Sequence, residues 1–309
     1  MEISFPDWKP EKWVDFPQNP LIEPPNGYVI GDPYIILPGE YDNYWHLFAS
    51  GKGIIYRFIS EDGIKWRIEK IIESFGDWVG FVYLHKENGK WYIFYAKADK
   101  NSSMVICGRE SEDLENWSDE NVILKPELEW EMEGKRIQVR NPCLIKTGNI
   151  YRLYYSAGTI WLDDCGYEEP KYISFAESEN IFGPYRKYGE PIIKPDGNVF
   201  YRNFGAGALK VFILEGKFIG LNNGLYRDEN GRSRSAISLM VSEDGIKWID
   251  FPFNPIISPK DGWKKALVYQ LDMVDYNGRK IIYYNARDGW REGKERIGAC
   301  ELLPSGGDV

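Results

Sequence analysis

Carboxylates that stand where a turn gives way to a strand are the groups in this chain best placed for chemistry. Asp32 is the first of them. It sits in Gly31-Asp32-Pro33, inside the β-rich run Tyr28 to Ile36. A carboxylate there is held by the strand yet open on one side. Two such groups close together can split an acetal. One acts as base or nucleophile, and the other protonates the leaving oxygen. Candidates for the second group are Asp77 in ESFGDW, Glu133 beside Glu131 in WEMEGK, and Asp272 in the run Val268 to Asp275. Asp163 and Asp164 lie together in the polar segment Gly158 to Pro170. Any one of these acids, taken alone, is more often structural or solvated than catalytic.

Arginines gather in the same parts of the chain. Arg136 and Arg140 precede a third strand-like run, and Arg202 precedes a fourth. Arg227, Arg232, Arg234, Arg287 and Arg291 lie in or beside the segments Asn223 to Arg234 and Ala286 to Lys294. Arg140-Asn141 and Arg202-Asn203 both place an amide after a guanidinium, a pairing able to cradle an anionic group or free phosphate. The expected substrate-binding set is Arg140, Asn141, Arg202, Asn203, Trp161, Asp163, Tyr226, Gln270, Arg287 and Trp290. The competing expectation is that the arginines pair with Asp163, Asp164, Asp228, Asp288 and Glu292.

Composition narrows the partner. Net charge is −9, which disfavours nucleic acid and anionic membranes because both need excess positive charge. Aromatic residues make up 16% of the chain, including 12 Trp and 21 Tyr, which suits strand packing and stacking on sugar faces. Cys107, Cys143, Cys165 and Cys300 form no CxxC pair, so no zinc site and no cofactor is expected. The N-terminal segment lacks an apolar signal core, and no run of about 18 apolar residues occurs. The expectation is a cytoplasmic protein with free thiols.

The elements that must position these residues repeat. SEDGIKW occurs at Ser60 to Trp66 and again at Ser242 to Trp248, with degenerate copies at Ser111 to Trp117 and Ser178 to Tyr185. Each copy follows a β-rich stretch and leads to an apolar pair near a proline. This reads as strand, tight turn, strand, with Gly supplying the left-handed turn residue. Five first strands are visible: Tyr28 to Ile36, Val79 to His85, Val139 to Ile145, Ala206 to Ile213 and Val268 to Asp275. Five units of four antiparallel strands predict an all-β, five-bladed propeller spanning residues 1–309 as one domain. The fifth unit lacks an outer strand. WVDFPQNPLI, Trp13 to Ile22, matches WIDFPFNPII, Trp248 to Ile257, so the N-terminus is expected to complete the last blade. The mouth of the central channel then carries the segments Gly158 to Pro170, Asn223 to Arg234 and Ala286 to Lys294, read as long loops.

The repeat, Gly31-Asp32-Pro33 and the five-unit layout resemble glycoside hydrolase family 43 and its five-bladed relatives, families 32, 62, 68, 117 and 130. The resemblance covers residues 13 to 303 and implies that Asp32 is the first-blade catalytic carboxylate. The chain departs from the family pattern twice. Asn141 stands where the family places an Asp, and Phe204-Gly205-Ala206-Gly207-Ala208 stands where it places the general-acid Glu. Some relatives hold a channel Ca²⁺, for which this sequence shows no ligand pattern. The leading expectation is a glycoside hydrolase of a small oligosaccharide, and a blind-ended channel mouth would favour exo-cleavage. The missing acid keeps two alternatives open: a phosphorylase using inorganic phosphate, and a glycan-binding propeller without turnover.

Overall fold

The computed structural model describes residues 4–304 except 73, 74, 77 and 102. A short strand, β1 (Trp13–Asp15), comes first. Blade one holds β2 (Gly31–Ile36), β3 (Trp45–Ser50), β4 (Ile55–Ser60) and β5 (Arg67–Ile72). Blade two holds β6 (Val79–Glu87), β7 (Lys90–Ala98), β8 (Met104–Ser111) and β9 (Asn121–Leu124). Blade three holds β10 (Val139–Thr147), β11 (Ile150–Leu162), β12 (Tyr167–Ser178) and β13 (Arg186–Lys187). Blade four holds β14 (Leu209–Leu214), β15 (Lys217–Arg227), β16 (Ser233–Ser242) and β17 (Ile249–Asp250). Blade five holds β18 (Leu267–Tyr276), β19 (Arg279–Arg287) and β20 (Glu295–Leu302), with β1 as its outermost strand. The innermost strands β2, β6, β10 and β14 touch in sequence, and β18 returns to β2, so the sheets close into a five-bladed propeller.

Closure uses the repeated segment. Trp13 pairs with Leu302 and Asp15 with Cys300. Ile22 then bridges Ile297, as Ile257 bridges Ile237 in blade four. The Asn19 side chain accepts from Ala299 N at 2.9 Å and donates to Ala299 O at 2.7 Å. Asn254 does the same with Leu239, at 2.7 and 2.8 Å. One amide thus imitates a strand partner in both blades, which explains why the two segments look alike.

The apolar core is divided among the blade interfaces. Ile36, Phe48, Leu84 and Tyr95 fill the wedge between blades one and two, and Phe94, Leu144 and Tyr155 that between two and three. Tyr154, Phe175 and Val211 join blades three and four, Ile237 and Tyr284 blades four and five, and Leu47 and Tyr283 blades five and one. Each repeated turn latches onto the blade before it. Tyr283 Oη donates to Gly63 O at 2.9 Å, Tyr154 Oη to Gly245 O at 2.9 Å, and Arg57 Nη1 to Leu114 O at 3.3 Å. Gly245 is left-handed at φ 70°, and a Cβ on it would stand 2.4 Å from Tyr154 Oη. Close inter-blade packing therefore demands glycine in this turn.

The mouth differs from expectation in one respect. Gly158 to Pro170 and Asn223 to Arg234 are mostly ladder, not loop. β11 pairs with β12 out to Leu162 and Tyr167, and β15 with β16 out to Arg227 and Ser233. Alternating side chains such as Thr159, Trp161 and Tyr167 let the pairing run on past the blade edge. These tall hairpins meet the blade-five connection over a sixth apolar cluster, with Leu162, Cys165, Leu225, Leu267 and Tyr269 buried and Trp290 packed against them. Blades three to five thus raise a wall. Blades one and two end in short connections, between Ser50 and Ile55 and between Ala98 and Met104.

Candidate active site

The innermost strands break register where they reach the mouth. The shifts lie between Gly31 and Tyr34, Gly80 and Tyr83, Arg140 and Cys143, and Val268 and Leu271. Asp32, Phe81 and Asn141 occupy three of these bulges with φ of 53°, 59° and 55°. Non-glycine residues are uncommon there, and Asp and Asn tolerate it best. The bulge turns Asp32 inward. Its N–H donates to Asn285 Oδ1 at 3.0 Å. The Ser50 hydroxyl and the Phe81 N–H face its carboxyl, and that N–H also reaches Ser50 Oγ at 2.8 Å.

Blade four carries a glycine, not an acid, just before its innermost strand. Gly207 has φ 67°, and a Cβ on it would stand 2.0 Å from Asn223 O. The region in which the resemblance implies an acid is closed to one at this position. Two glutamates on third strands come to the mouth instead. Glu169 on β12 accepts from Arg140 Nη2 at 2.6 Å. Glu295 opens β20. Its Oε1 accepts from Asn285 Nδ2 at 2.5 Å, and its Oε2 lies 3.8 Å from Arg287 Nη1. Asn285 therefore joins the Asp32 backbone to the Glu295 carboxyl. A Cβ on Gly31 would meet Glu295 Oε1 at 2.8 Å, so Gly31 makes the room in which this carboxyl sits.

Charge is costly here. Burial pushes the Asp32 carboxyl up to about 6, against the opposing pull of Ser50, Arg140, the Phe81 N–H and Lys210. Burial pushes Glu295 up to about 8; Arg287 opposes this, and Asp32 and Glu169 add to it. Glu169 is raised as well, by burial and the Asp32 charge, while Arg140 holds it down. Burial therefore raises both carboxyls, Glu295 further than Asp32. Neither glutamate was among the residues singled out from sequence.

The remaining candidates fall in several places. Asp77 lies outside the described residues. Glu133 is at the rim, where Lys171 and Tyr172 Oη bind its carboxylate and lower its pKa. Asp272 is deeper in the channel, accepting from Ile35 N at 2.8 Å. Asn141 donates to Ser156 Oγ at 3.2 Å, and its buried Oδ1 has no partner among the described residues. Gln270 is half-buried in the β18 bulge. Arg287 braces the blade-five connection through Gly289 O and Trp290 O, both at 3.1 Å. Arg140 and Arg202 are not brought together. Arg202 grips Asp250 on the outermost strand of blade four at 3.1 and 2.8 Å, and Asn203 is bonded to the backbone of Arg227. Trp290 donates to Ser233 O at 2.8 Å, with the guanidiniums of Arg232 and Arg234 over its ring. Trp161 lies under Lys135 Nζ at 4.1 Å, Tyr226 packs edge-on to Phe200, and Asp163 is exposed near Arg227. Among the described residues no group of three or more His, Cys, Asp or Glu is placed to hold a metal. The channel also does not fit the Ca²⁺ of some relatives, because Asp272 is already engaged by Ile35 N and the Lys210 ammonium.

No family model and no curated protein matches the chain. Solved structures do. A protein described as a glycoside hydrolase aligns over 98% of this chain and 93% of its own, at 12% identity and TM-score 0.71. The α-L-arabinanase of Cellvibrio cellulosa, complexed with arabinohexaose, aligns over 90% and 94%, at 14% identity and TM-score 0.65. An N-acetylgalactosamine deacetylase from F. plautii, in complex with blood group B trisaccharide, aligns over 94% and 98%, at 14% identity and TM-score 0.67. The shared property is the glycoside-hydrolase-like five-bladed propeller. These neighbours perform different reactions on it, so the fold alone does not choose the chemistry.

Proposed function

We propose that this chain is a glycoside hydrolase with Asp32 and Glu295 as its working pair. The observation that carries this reading is the convergence of Asp32, Glu169 and Glu295 from three blades, with Asp32 near 6 and Glu295 near 8. Two carboxyls whose surroundings split their pKa values across neutrality divide the labour of acid and base. Glu295 gives its proton to the glycosidic oxygen as the bond to the anomeric carbon breaks. Asp32 takes the proton of the attacking water or attacks that carbon itself. Arg140 binds the Glu169 carboxyl at 2.6 Å and opposes the rise that burial gives it.

The carbohydrate ligands of the neighbouring structures support a sugar substrate, and the wall of blades three to five supports cleavage at a chain end. The mouth guanidiniums of Arg140 and Arg287 face Glu169 and Glu295, which supports water over phosphate as the acceptor. A screen of chromogenic glycosides and oligosaccharides, with and without inorganic phosphate, tests the proposal. Phosphate-independent release of reducing sugar is expected. Turnover only with phosphate, or tight sugar binding with no turnover, overturns it.

A further inference from the structure

The tip of the blade-three hairpin packs across blade four, against Leu225, and touches blade five. The polar part of that contact is a pair of phenols: Tyr167 Oη and Tyr269 Oη are hydrogen-bonded to each other. Tyr167 opens β12 on the strand face that also carries Glu169. Tyr269 stands in the β18 bulge, where the register passes from Val268–Ala286 to Leu271–Tyr284. By register it is the blade-five counterpart of Asp32, Phe81 and Asn141, each the first residue of its bulge. The residue left opposite this bulge is Asn285, the amide that holds both the Asp32 N–H and the Glu295 carboxyl. Arg287 lies between the phenols and the acids. Its guanidinium is 5.3 Å from the Tyr167 ring centre, and its Nη1 is 3.8 Å from Glu295 Oε2. The phenol pair is therefore part of the wall around Asp32, Glu169 and Glu295.

Two hydroxyls in contact carry two protons and share one hydrogen bond, so one proton must be directed elsewhere. Tyr269 is only 6% exposed, whereas Tyr167 is half-buried. Satisfying the more buried donor first makes Tyr269 the donor and Tyr167 the acceptor, which leaves the Tyr167 proton over. Among the described residues no carboxylate oxygen is bonded to either hydroxyl, since Glu169 is held by Arg140 and Glu295 by Asn285. Arg287 has donors only. The Cys165 thiol is beside Tyr167, but burial pushes it up to about 12, so its sulfur is neutral and a weak acceptor.

We propose that Tyr167 donates a hydrogen bond to a hydroxyl or ring oxygen of the sugar in the mouth, and that Tyr269 is the positioning residue that aims it. Accepting from Tyr269 fixes the rotation of the Tyr167 hydroxyl and polarises its O–H bond. Burial holds both phenols well above the ordinary tyrosine range, so both keep their protons through neutral pH. Such a site selects for an oxygen acceptor. A deoxy analogue leaves the phenol unpaired and is rejected. A protonated amino group has no lone pair for the phenol and faces the Arg287 charge.

This role rests on reading the mouth as the sugar site, yet its first test needs neither sugar nor turnover. Neutron diffraction from crystals of the unliganded protein in D₂O locates both hydroxyl deuterons. One is expected between Tyr269 Oη and Tyr167 Oη, and the other on Tyr167, pointing into the mouth. A Tyr167 deuteron bonded to Cys165, Glu169, Glu295 or Tyr269 overturns the assignment. The second test is calorimetry with the sugar from the glycoside screen that the parent binds most tightly. Tyr167→Phe is expected to weaken binding about tenfold and Tyr269→Phe about threefold, with the near-UV circular dichroism of both unchanged. Against singly deoxygenated analogues of that sugar, the parent should discriminate at one position, and Tyr167→Phe should lose that discrimination. Tyr269→Phe should reduce it, a change that a purely structural brace would not produce. Full affinity and discrimination in folded Tyr167→Phe overturn the donor role and leave the hydrolase reading standing. The expected losses in a parent that binds but never turns over uphold the donor and overturn hydrolysis. A parent that binds no sugar overturns both.

Discussion

The carboxylates of the inter-blade turns and those of the channel mouth meet opposite surroundings. In the turns, Asp62 accepts from Ile64 N and Lys65 N at 2.8 and 2.7 Å, and Asp244 accepts from Ile246 N and Lys247 N, both at 2.8 Å. Burial works against their charge, but these backbone donors outweigh it and hold both groups below the usual carboxylate range. Asp113 is lowered by the N–H and side chain of Asn116 and by Glu115 N. At the mouth, burial wins, and Asp32, Glu169 and Glu295 are all raised. One set spends its charge on holding a local turn. The other is held by backbone bulges and cross-blade contacts, so its protons remain movable.

The comparison breaks first at Asp32. Asp32→Asn keeps the shape and removes the charge. On an identified substrate kcat should fall on the order of a thousandfold or more, about 4 kcal/mol of barrier, while the circular dichroism spectrum is retained. Near-normal turnover in the folded variant removes Asp32 from the mechanism. The pH profile sharpens the contrast. The proposed mechanism requires Asp32 ionised and Glu295 protonated. The rate kcat/KM should therefore fall about tenfold per pH unit below an acid limb near 6 and above an alkaline limb near 8. Glu295→Gln should abolish the alkaline limb along with most activity. An alkaline limb that persists in residual Glu295→Gln activity assigns it to another group.

This difference between turn and mouth also decides how much could be read from sequence. The turns are local: Ser, Asp and Gly within four residues specify the latch, and they recur, so the propeller and its N-terminal closure were legible. Asp32 was legible for the same reason, standing beside a Gly and a Pro at a strand start. Glu169 and Glu295 were not. Each reaches the mouth through strand register: Glu169 meets Arg140 across blade three, and Glu295 meets Asn285 on the neighbouring strand and Gly31 across the seam between blades five and one. The available signal for Glu169 was alternation, since Tyr167 and Glu169 share a strand face. Reading Gly158 to Pro170 as loop erased that signal. The arginine cradle failed in the opposite way. Arg140-Asn141 and Arg202-Asn203 look alike in sequence, but Arg140 lies in a strand and Arg202 ends a 3₁₀ turn that directs it outward to Asp250.

Stability should part along the same line. Glu295 has an ordinary pKa of 4.5 and stands near 8 in the fold, so the fold resists its ionisation. Its contribution is full below 4.5 and is lost as pH rises through 8. Glu295→Gln is neutral at every pH and escapes that loss. At pH 9 it should be more stable than the parent by about 1–3 kcal/mol, a discounted value at ~1.4 kcal/mol per pKa unit. At pH 4 the difference should vanish. Denaturant unfolding at the two pH values measures this, and a variant less stable at pH 9 would show that Glu295 is structural like the turn acids.

The smallest effect is expected at Asp244, and it runs the other way. Asp244→Ala removes the acceptor of Ile246 N and Lys247 N and the partner of the Ser242 hydroxyl. Ser242 Oγ still receives Gly245 N at 2.8 Å, and Tyr154 Oη still reaches Gly245 O, so the latch to blade three keeps its deeper half. The freed N–H groups lie at the surface, where water can replace the carboxylate. The cost should therefore be about 1 kcal/mol, the usual loss for one exposed capping side chain. The lowered pKa of Asp244 means that this contribution is present above its unfolded value and fades as pH falls through the folded one. Parent and Asp244→Ala should thus converge in stability in acid, while turnover and both limbs of the pH profile stay at parent values. A variant that unfolds like the parent at pH 7, or whose rate falls as steeply as that of Asp32→Asn, would erase the division between turn and mouth carboxylates.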